Sequence, residues 1–191
     1  MGKIEGSLEA MIRKAPLLST ARMYLRRTER RSEATDIYEH RVKLLDGSEL
    51  DLETLRGNPT LFVNTASKCG LTPQYAGLQA LYERYSPRGL QMVGSPSADF
   101  ADQEYDDATE IGAFCQKNYG VTFPLTERTS VRANPDPLWK DLTSQPNSKQ
   151  PAWNFTKYLV DADGRLIAHW APTTKPEDPK IAKAIETALS S

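Results

Sequence analysis

The 191-residue chain has little cysteine and little histidine, two residues of each. Two cysteines do not make a disulfide-dense secreted scaffold, and two histidines without a matching cysteine spacing leave no zinc-finger pattern. No apolar run approaches the ~20 residues needed to cross a bilayer. The 11 glycines and 13 prolines are too few and too scattered for a collagen-like or linker chain. An excess charge of one sign is missing as well: the formal net charge is −1, so bulk electrostatics does not draw the chain to nucleic acid. Internal repeats, low-complexity segments and a phosphate-cradling glycine loop are all absent from the sequence. What is present, 39% hydrophobic and 26% charged residues, suits one well-buried globular domain.

The charge is unevenly divided. Residues 1–31 carry eight basic and three acidic side chains, a balance of +5, which leaves −6 for the remainder. This predicts a basic extension over residues 1–35 in front of a domain spanning 36–191. Two weak helical stretches are expected in the extension, Leu8–Arg13 and Leu17–Thr28, broken by Pro16. The segment has no continuous apolar core of a secretory signal, and Glu5 and Glu9 argue against an organelle-targeting peptide. A solvated arm or a membrane-surface segment are the two readings it allows.

From Asp36 onward short strands alternate with amphipathic helices. Tyr38–Leu44 and Leu50 flank Asp46–Gly47, a hairpin signal. Leu61–Val63 reads as a buried strand, and Thr72–Pro73 as an N-cap with proline at the first helical position. Tyr75, Leu78, Tyr82 and Tyr85 fall at helical spacing, and Leu90–Gly94 reads as the next strand. Asp107 with Glu110 forms a capping box for a helix carrying Ile111, Phe114 and Cys115, and Gly120 stops it. Thr156–Val160 and Arg165–His169 flank a second hairpin turn, Thr143–Gln150 reads as a loop, and Asp178–Pro179 opens a last helix. The pattern predicts an α/β, thioredoxin-like fold: a central mixed sheet flanked by helices, with an N-terminal β-hairpin.

Cys69 carries the chemical argument. It lies between a buried strand and the start of a helix, where backbone N–H groups favour an anion and so the thiolate. Lys68 adds a neighbouring positive charge. Position alone leaves a reactive thiol and a structural one both open. His40 and His169 have no zinc spacing with a cysteine, and neither lies in a loop motif that directs it at Cys69 for Cys-His hydrolase chemistry. Asn154–Thr156 fits a glycosylation sequon but falls inside a motif described next.

The stretch VNTASKCGLTPQYAGLQALYERY resembles the first signature of the glutathione peroxidase family in its cysteine form. PAWNFTKYLVDADGRLIAHWAPTTKPED resembles the second, and FCQKNYGVTFPL extends the likeness to roughly residues 36–189. The resemblance implies a peroxidase acting on hydrogen peroxide and organic hydroperoxides, with Cys69 as nucleophile and Gln103, Trp153 and Asn154 as the donors that assist it. The chemistry is coherent: the attacked peroxide releases an alkoxide or hydroxide that needs hydrogen-bond donors, and amide and indole N–H groups supply them without titrating. Taken singly, each donor also has a structural reading as core packing, a turn residue or a solvated side chain. The family segment Asn-Gln-Phe-Gly-x-Gln-Glu is here Ala98 to Glu104, with Ala98 and Asp99 as departures, and Ser97 stands where many members have a further cysteine.

Cys115 is either a small apolar residue on a helix face or, as the resemblance implies, the resolving thiol that condenses with a Cys69 sulfenic acid. The resemblance further implies thioredoxin, or else glutathione, as the reductant, no metal or other cofactor, no nucleic-acid partner, a cytoplasmic location, and a monomer or weak dimer because the Thr143–Ala152 connection is short. A peroxide sensor that passes oxidation to a partner protein, and a degenerate member kept as a binding module, are the competing functions.

Overall fold

The computed structural model describes residues 36–191. The helical stretches expected in the basic extension therefore lie outside the described residues. Strands β1 (Arg41–Lys43) and β2 (Glu49–Asp51) pair antiparallel with Val42 opposite Leu50, around the Asp46–Gly47 turn. The Asp46 carboxylate accepts from the Ser48 N–H and hydroxyl, and Gly47 takes φ +81°, which a side chain would oppose. The strand expected from Tyr38 starts later than predicted. Ile37–Glu39 is a 3-10 turn, because the Asp36 carboxylate captures the Tyr38 N–H. The Tyr38 hydroxyl then reaches the carbonyls of Asn58 and Asp161, tying this edge to the main sheet.

That sheet has four strands: β3 (Thr60–Thr65), β4 (Gln91–Pro96), β5 (Lys157–Val160) and β6 (Leu166–Trp170), in the spatial order β4-β3-β5-β6. β3 and β4 are parallel and joined by helix α1 (Gln74–Tyr85), while β5 runs antiparallel to β3 with Tyr158 opposite Phe62. β5 and β6 form the predicted second hairpin, whose turn is closed by the Asp161 carboxylate accepting from the N–H groups of Asp163 and Arg165. Helix α2 (Ala108–Tyr119) starts where the Asp107 side chain accepts the Glu110 N–H and ends at Gly120, φ +63°. The last helix, α4 (Pro179–Ala188), is capped by Asp178. This is the thioredoxin-like, mixed α/β arrangement.

Between α2 and β5 the structure adds helix α3 (Pro137–Ser144), so the loop expected at Thr143–Gln150 begins only at Gln145. Eight residues give too few turns for a periodic signal. Leu138, Trp139 and Leu142 hold the helix in place by being buried against the sheet. Both sheet faces are covered. Leu61 and Val63 face a cluster with Tyr75, Leu78, Ile111 and Ile185, whereas Phe62 faces Tyr38, Leu138 and Trp139. This period-2 alternation along a strand buried on both sides explains its continuous apolar run. Among the described residues, no helix is long and apolar enough to cross a membrane.

Candidate active site

Cys69 sits in the loop that leaves β3, in the same apolar cluster as Cys115, and both are free thiols. The loop has a different internal logic from a simple helix cap. Thr72 is not the N-cap, since α1 begins at Gln74 and the cap position is held by Pro73 without a side-chain bond. Instead the Thr72 hydroxyl donates to the Ala66 carbonyl at 2.8 Å and accepts the Cys69 N–H at 3.0 Å. This closes the loop on itself. The Leu71 N–H then donates to the Cys69 sulfur, 3.4 Å away.

Lys68 directs its charge elsewhere. Its ammonium lies over the Tyr105 ring, 4.1 Å from the centroid. Its backbone is nonetheless part of the site, because the Lys68 N–H donates to the Gln103 carbonyl at 2.9 Å. The Gln103 side chain accepts from Asn154 Nδ2 at 3.1 Å, so its own Nε2 hydrogens stay available as donors. Two of the predicted donors thus meet across 51 residues of sequence. Asn154 is fully buried, and its Oδ1 has no partner among the described residues. Trp153 is 38% exposed with its ring against Phe100, which in turn lies under the Arg132 guanidinium.

Asn64 supports the site in a way the sequence reading missed. Its Nδ2 donates to the Trp153 carbonyl at 3.1 Å, its Oδ1 accepts the Thr156 N–H at 3.0 Å, and its carbonyl accepts the Phe155 N–H at 2.6 Å. Phe155 is held at φ +68°, a costly conformation for a bulky residue, and its buried ring packs edge-on against Tyr75. One polar side chain at the end of an apolar strand therefore fixes the turn that presents Trp153 and Asn154. Fully buried asparagine inside a hydrophobic run was the available clue.

The departure at Asp99 also has a physical account. The Asp99 carboxylate accepts from the Ser130 hydroxyl and from the N–H groups of Val131 and Arg132 at 2.8 to 3.0 Å, anchoring the loop that carries Arg132. Ala101 and Asp102 both adopt left-handed conformations, φ +56° and +53°. The family segment carries glycine at the position of Ala101.

Cys115 lies on α2 with 1% of its surface exposed. Burial, with a smaller contribution from the Glu104 carboxylate, pushes its thiol up to about 11. The histidines point elsewhere: His40 is bonded to Asp141 at 2.8 Å and His169 stacks on Tyr158. Among the described residues, no three His, Cys, Asp or Glu side chains gather as a metal site. A cleft of about 400 Å³ opens beside the Cys69 loop, lined by Gly70, Leu71, Pro73, Gln74, Thr173, Lys175 and Glu177.

Comparison with known proteins agrees with this arrangement. The model of the glutathione peroxidase family matches residues 37–143. The glutathione peroxidase homolog BsaA of Halalkalibacterium halodurans is 45% identical over 157 residues, covering 80% of this chain and 99% of that protein. The hydroperoxy fatty acid reductase gpx1 of a Synechocystis species is 44% identical over 163 residues, 80% of this chain and 95% of that one. A crystal structure of Trgpx in its apo form superposes with a TM-score of 0.67 at 31% identity, covering 83% of this chain and 98% of that one.

Proposed function

Because the chain belongs to the glutathione peroxidase family, and is accordingly a thiol peroxidase that reduces hydroperoxides, we propose that Cys69 is the attacking thiol and that Gln103, Trp153 and Asn154 stabilise the oxygen it expels. The observation that carries this reading is the joining of three distant segments. The Cys69 loop, Gln103 and Asn154 are linked through Lys68 N–H to Gln103 O and Asn154 Nδ2 to Gln103 Oε1. The thiolate attacks one peroxide oxygen, the O–O bond breaks, and the second oxygen leaves as alkoxide or hydroxide and takes a proton from water. Cys69 is left as a sulfenic acid. Amide donors aimed at the developing negative charge lower the barrier, each worth about 10²-fold or more when preorganised.

The finer reading is a two-cysteine cycle. Cys115 attacks the sulfenic acid, water leaves, and a Cys69–Cys115 disulfide forms. We infer that closing this disulfide shifts or unwinds the helix that buries the Cys115 thiol, opening the contacts of Phe114 with Tyr105 and Tyr119. An internal thiol outcompetes any free thiol by effective concentration. The disulfide is then a substrate for a dithiol protein such as thioredoxin, which resolves its own mixed disulfide, whereas glutathione must act twice. Such a cycle belongs in a reducing compartment such as the cytoplasm. The short Gln145–Ala152 connection suits a monomer or weak dimer.

The test is steady-state peroxide reduction with thioredoxin and with glutathione supplied separately, alongside Cys69→Ser and Cys115→Ser. Turnover lost in Cys69→Ser, thioredoxin favoured over glutathione, and a Cys69–Cys115 linked peptide after one equivalent of peroxide support the cycle. Full thioredoxin-dependent turnover in Cys115→Ser refutes it and returns Cys115 to core packing. Peroxide consumption that appears only with an added partner protein makes the chain a relay.

A further inference from the structure

Lys157 is a charged side chain with 0% exposure, and the peroxidase reading gives it no task. It opens β5, opposite Val63 of β3 and Trp170 of β6, neither of which titrates. Its Nζ donates to Gln74 Oε1 at 2.5 Å, to the Thr174 carbonyl at 2.6 Å and to the Phe155 carbonyl at 2.7 Å, with the Pro172 carbonyl farther off at 3.4 Å. An ammonium has three N–H donors and no acceptor, so the three short bonds use them all. All four oxygens are uncharged. Taking an ammonium out of water is expensive, and an apolar side chain of the same length would serve packing alone at least as well. What the charge adds is three directed bonds to three separate segments.

Two of those segments carry the site. Phe155 is the left-handed residue of the turn that presents Trp153 and Asn154. Its N–H is held by the Asn64 carbonyl and its own carbonyl by Lys157. Gln74 is the first residue of α1. Its N–H donates to the Leu71 carbonyl at 2.9 Å, and the Leu71 N–H donates in turn to the Cys69 sulfur. The Gln74 side chain also donates to the Pro172 carbonyl at 2.8 Å, which braces it against the segment after β6. We propose that Lys157 is a positioning residue for peroxide attack, its protonated side chain holding the turn that carries Trp153 and Asn154 in place against the Cys69 loop. This rests on Cys69 being the attacking thiol.

The proton on Lys157 is what completes the hold. A neutral amine has two N–H donors and a lone pair, so deprotonation drops one bond and turns the lone pair on an oxygen. Of the elements packed against Lys157, α1 presents the neutral Gln74 and the turn before β5 a carbonyl. The segment after β6 presents two carbonyls and, lining one cleft with Gln74, the charged Lys175 and Glu177. Burial pushes the Lys157 ammonium down to about 8, against an opposing pull from Glu177. The three bonds are therefore complete below pH 8 and are lost as pH rises through it. The Asn64 amide, which holds the same turn, does not titrate.

The experiment compares two reactions of Cys69 in the full chain between pH 6 and 10: single-turnover consumption of hydrogen peroxide, and alkylation by iodoacetamide. Both need the thiolate, but alkylation expels no oxygen and has no use for Trp153 and Asn154, so the ratio of the two rates isolates the donors. In the wild type the ratio is expected to hold steady and then fall above about pH 8. Lys157→Met keeps the length and removes the donors. Its ratio is expected to be about 100-fold lower at pH 7 and flat with pH. Gln74→Glu and Gln74→Ala act on the same ammonium from a half-buried position and decide the question if Lys157→Met folds poorly. The carboxylate is expected to delay the fall by about 1–2 pH units, and loss of the acceptor to advance it by about 1.

A wild-type ratio that ignores pH overturns the positioning role. So do Gln74 variants whose fall stays at the wild-type pH, and a Lys157→Met protein that loses urea stability while its ratio stays within twofold of wild type; either makes Lys157 a structural tie. Equal slowing of peroxide reaction and alkylation places the effect on Cys69 itself and overturns it too. Mass spectrometry of the oxidised wild type, for a dimedone adduct or a linked peptide at Cys69, keeps the two readings apart. Peroxide consumption that leaves Cys69 unmodified overturns the attacking thiol and the positioning role together, whereas failure confined to the ratios overturns the positioning role alone.

Discussion

Asn64→Ala is the perturbation that most directly tests how the site is held. It deletes the bond from Nδ2 to the Trp153 carbonyl and the bond from the Thr156 N–H to Oδ1. The Trp153 carbonyl keeps the Thr156 hydroxyl at 2.9 Å, so its loss is that of one ordinary hydrogen bond, about 1 kcal/mol. The Thr156 N–H has no second acceptor among the described residues and is left buried, costing about 1–3 kcal/mol. The expected destabilisation is therefore ~3 kcal/mol, which for a domain of this size lowers Tm by about 6–12 °C. The same change frees the turn at Phe155, whose left-handed backbone those bonds enforce, and displaces Trp153 and Asn154. A misplacement near 1 Å costs about 10²-fold in rate. Urea denaturation followed by tryptophan fluorescence measures the first effect, and single-turnover peroxide consumption at a temperature where the variant is folded measures the second. Asn64→Asp, which keeps Oδ1 and turns the donor into a carboxylate facing the Trp153 carbonyl, is expected to fall between the two. A loss below ~1 kcal/mol with wild-type peroxide kinetics would refute the argument that this side chain holds the site.

Gln103→Ala and Asn154→Ala are each expected to slow peroxide attack by about 10²-fold while far-ultraviolet circular dichroism stays unchanged, since each removes one donor; unchanged second-order rate constants would exclude them from the reaction. Ala101→Gly relieves a left-handed conformation worth ~1–2 kcal/mol. Because glycine loosens the unfolded chain by ~0.4–1 kcal/mol, the net gain in a denaturation series should be about 0.5–1 kcal/mol. Cys115 makes stability pH-dependent. Its folded titration near 11 lies above the ordinary thiol value of 9.0, so the folded chain binds the extra proton between those two pH values. The stabilisation is complete below pH 9 and is lost as pH rises through 11, amounting to roughly 2–3 kcal/mol. Cys115→Ser should remove that slope from urea midpoints measured across the range, and an identical slope in the variant would contradict the burial of an uncharged thiol.

Much of the molecule was legible from neighbours in sequence. Asp46–Gly47, Asp107 with Glu110, Gly120, Asp161 to Gly164 and Asp178–Pro179 act within a few residues of themselves, so short-range chemistry alone determined those turns and caps, and the structure reproduces them. The two long motifs likewise determined the family. The family segments in the sequence single out Cys69, Gln103, Trp153, Asn154 and Cys115. Tertiary structure decided what those residues touch. The Thr72 hydroxyl turned back to Ala66 and Cys69 because the loop needed closing more than the helix needed a cap. Lys68 found an aromatic face on Tyr105 instead of its neighbour's sulfur. Helix α3 exists because Leu138, Trp139 and Leu142 meet the far face of the sheet. Asn64 meets Thr156 across 92 residues, Asp99 meets Val131 across 32, and Ser67 meets Glu104 across 37. A hydrogen bond between such positions depends on which strands become neighbours, and that is settled by burial of the whole core, not by any local run of residues.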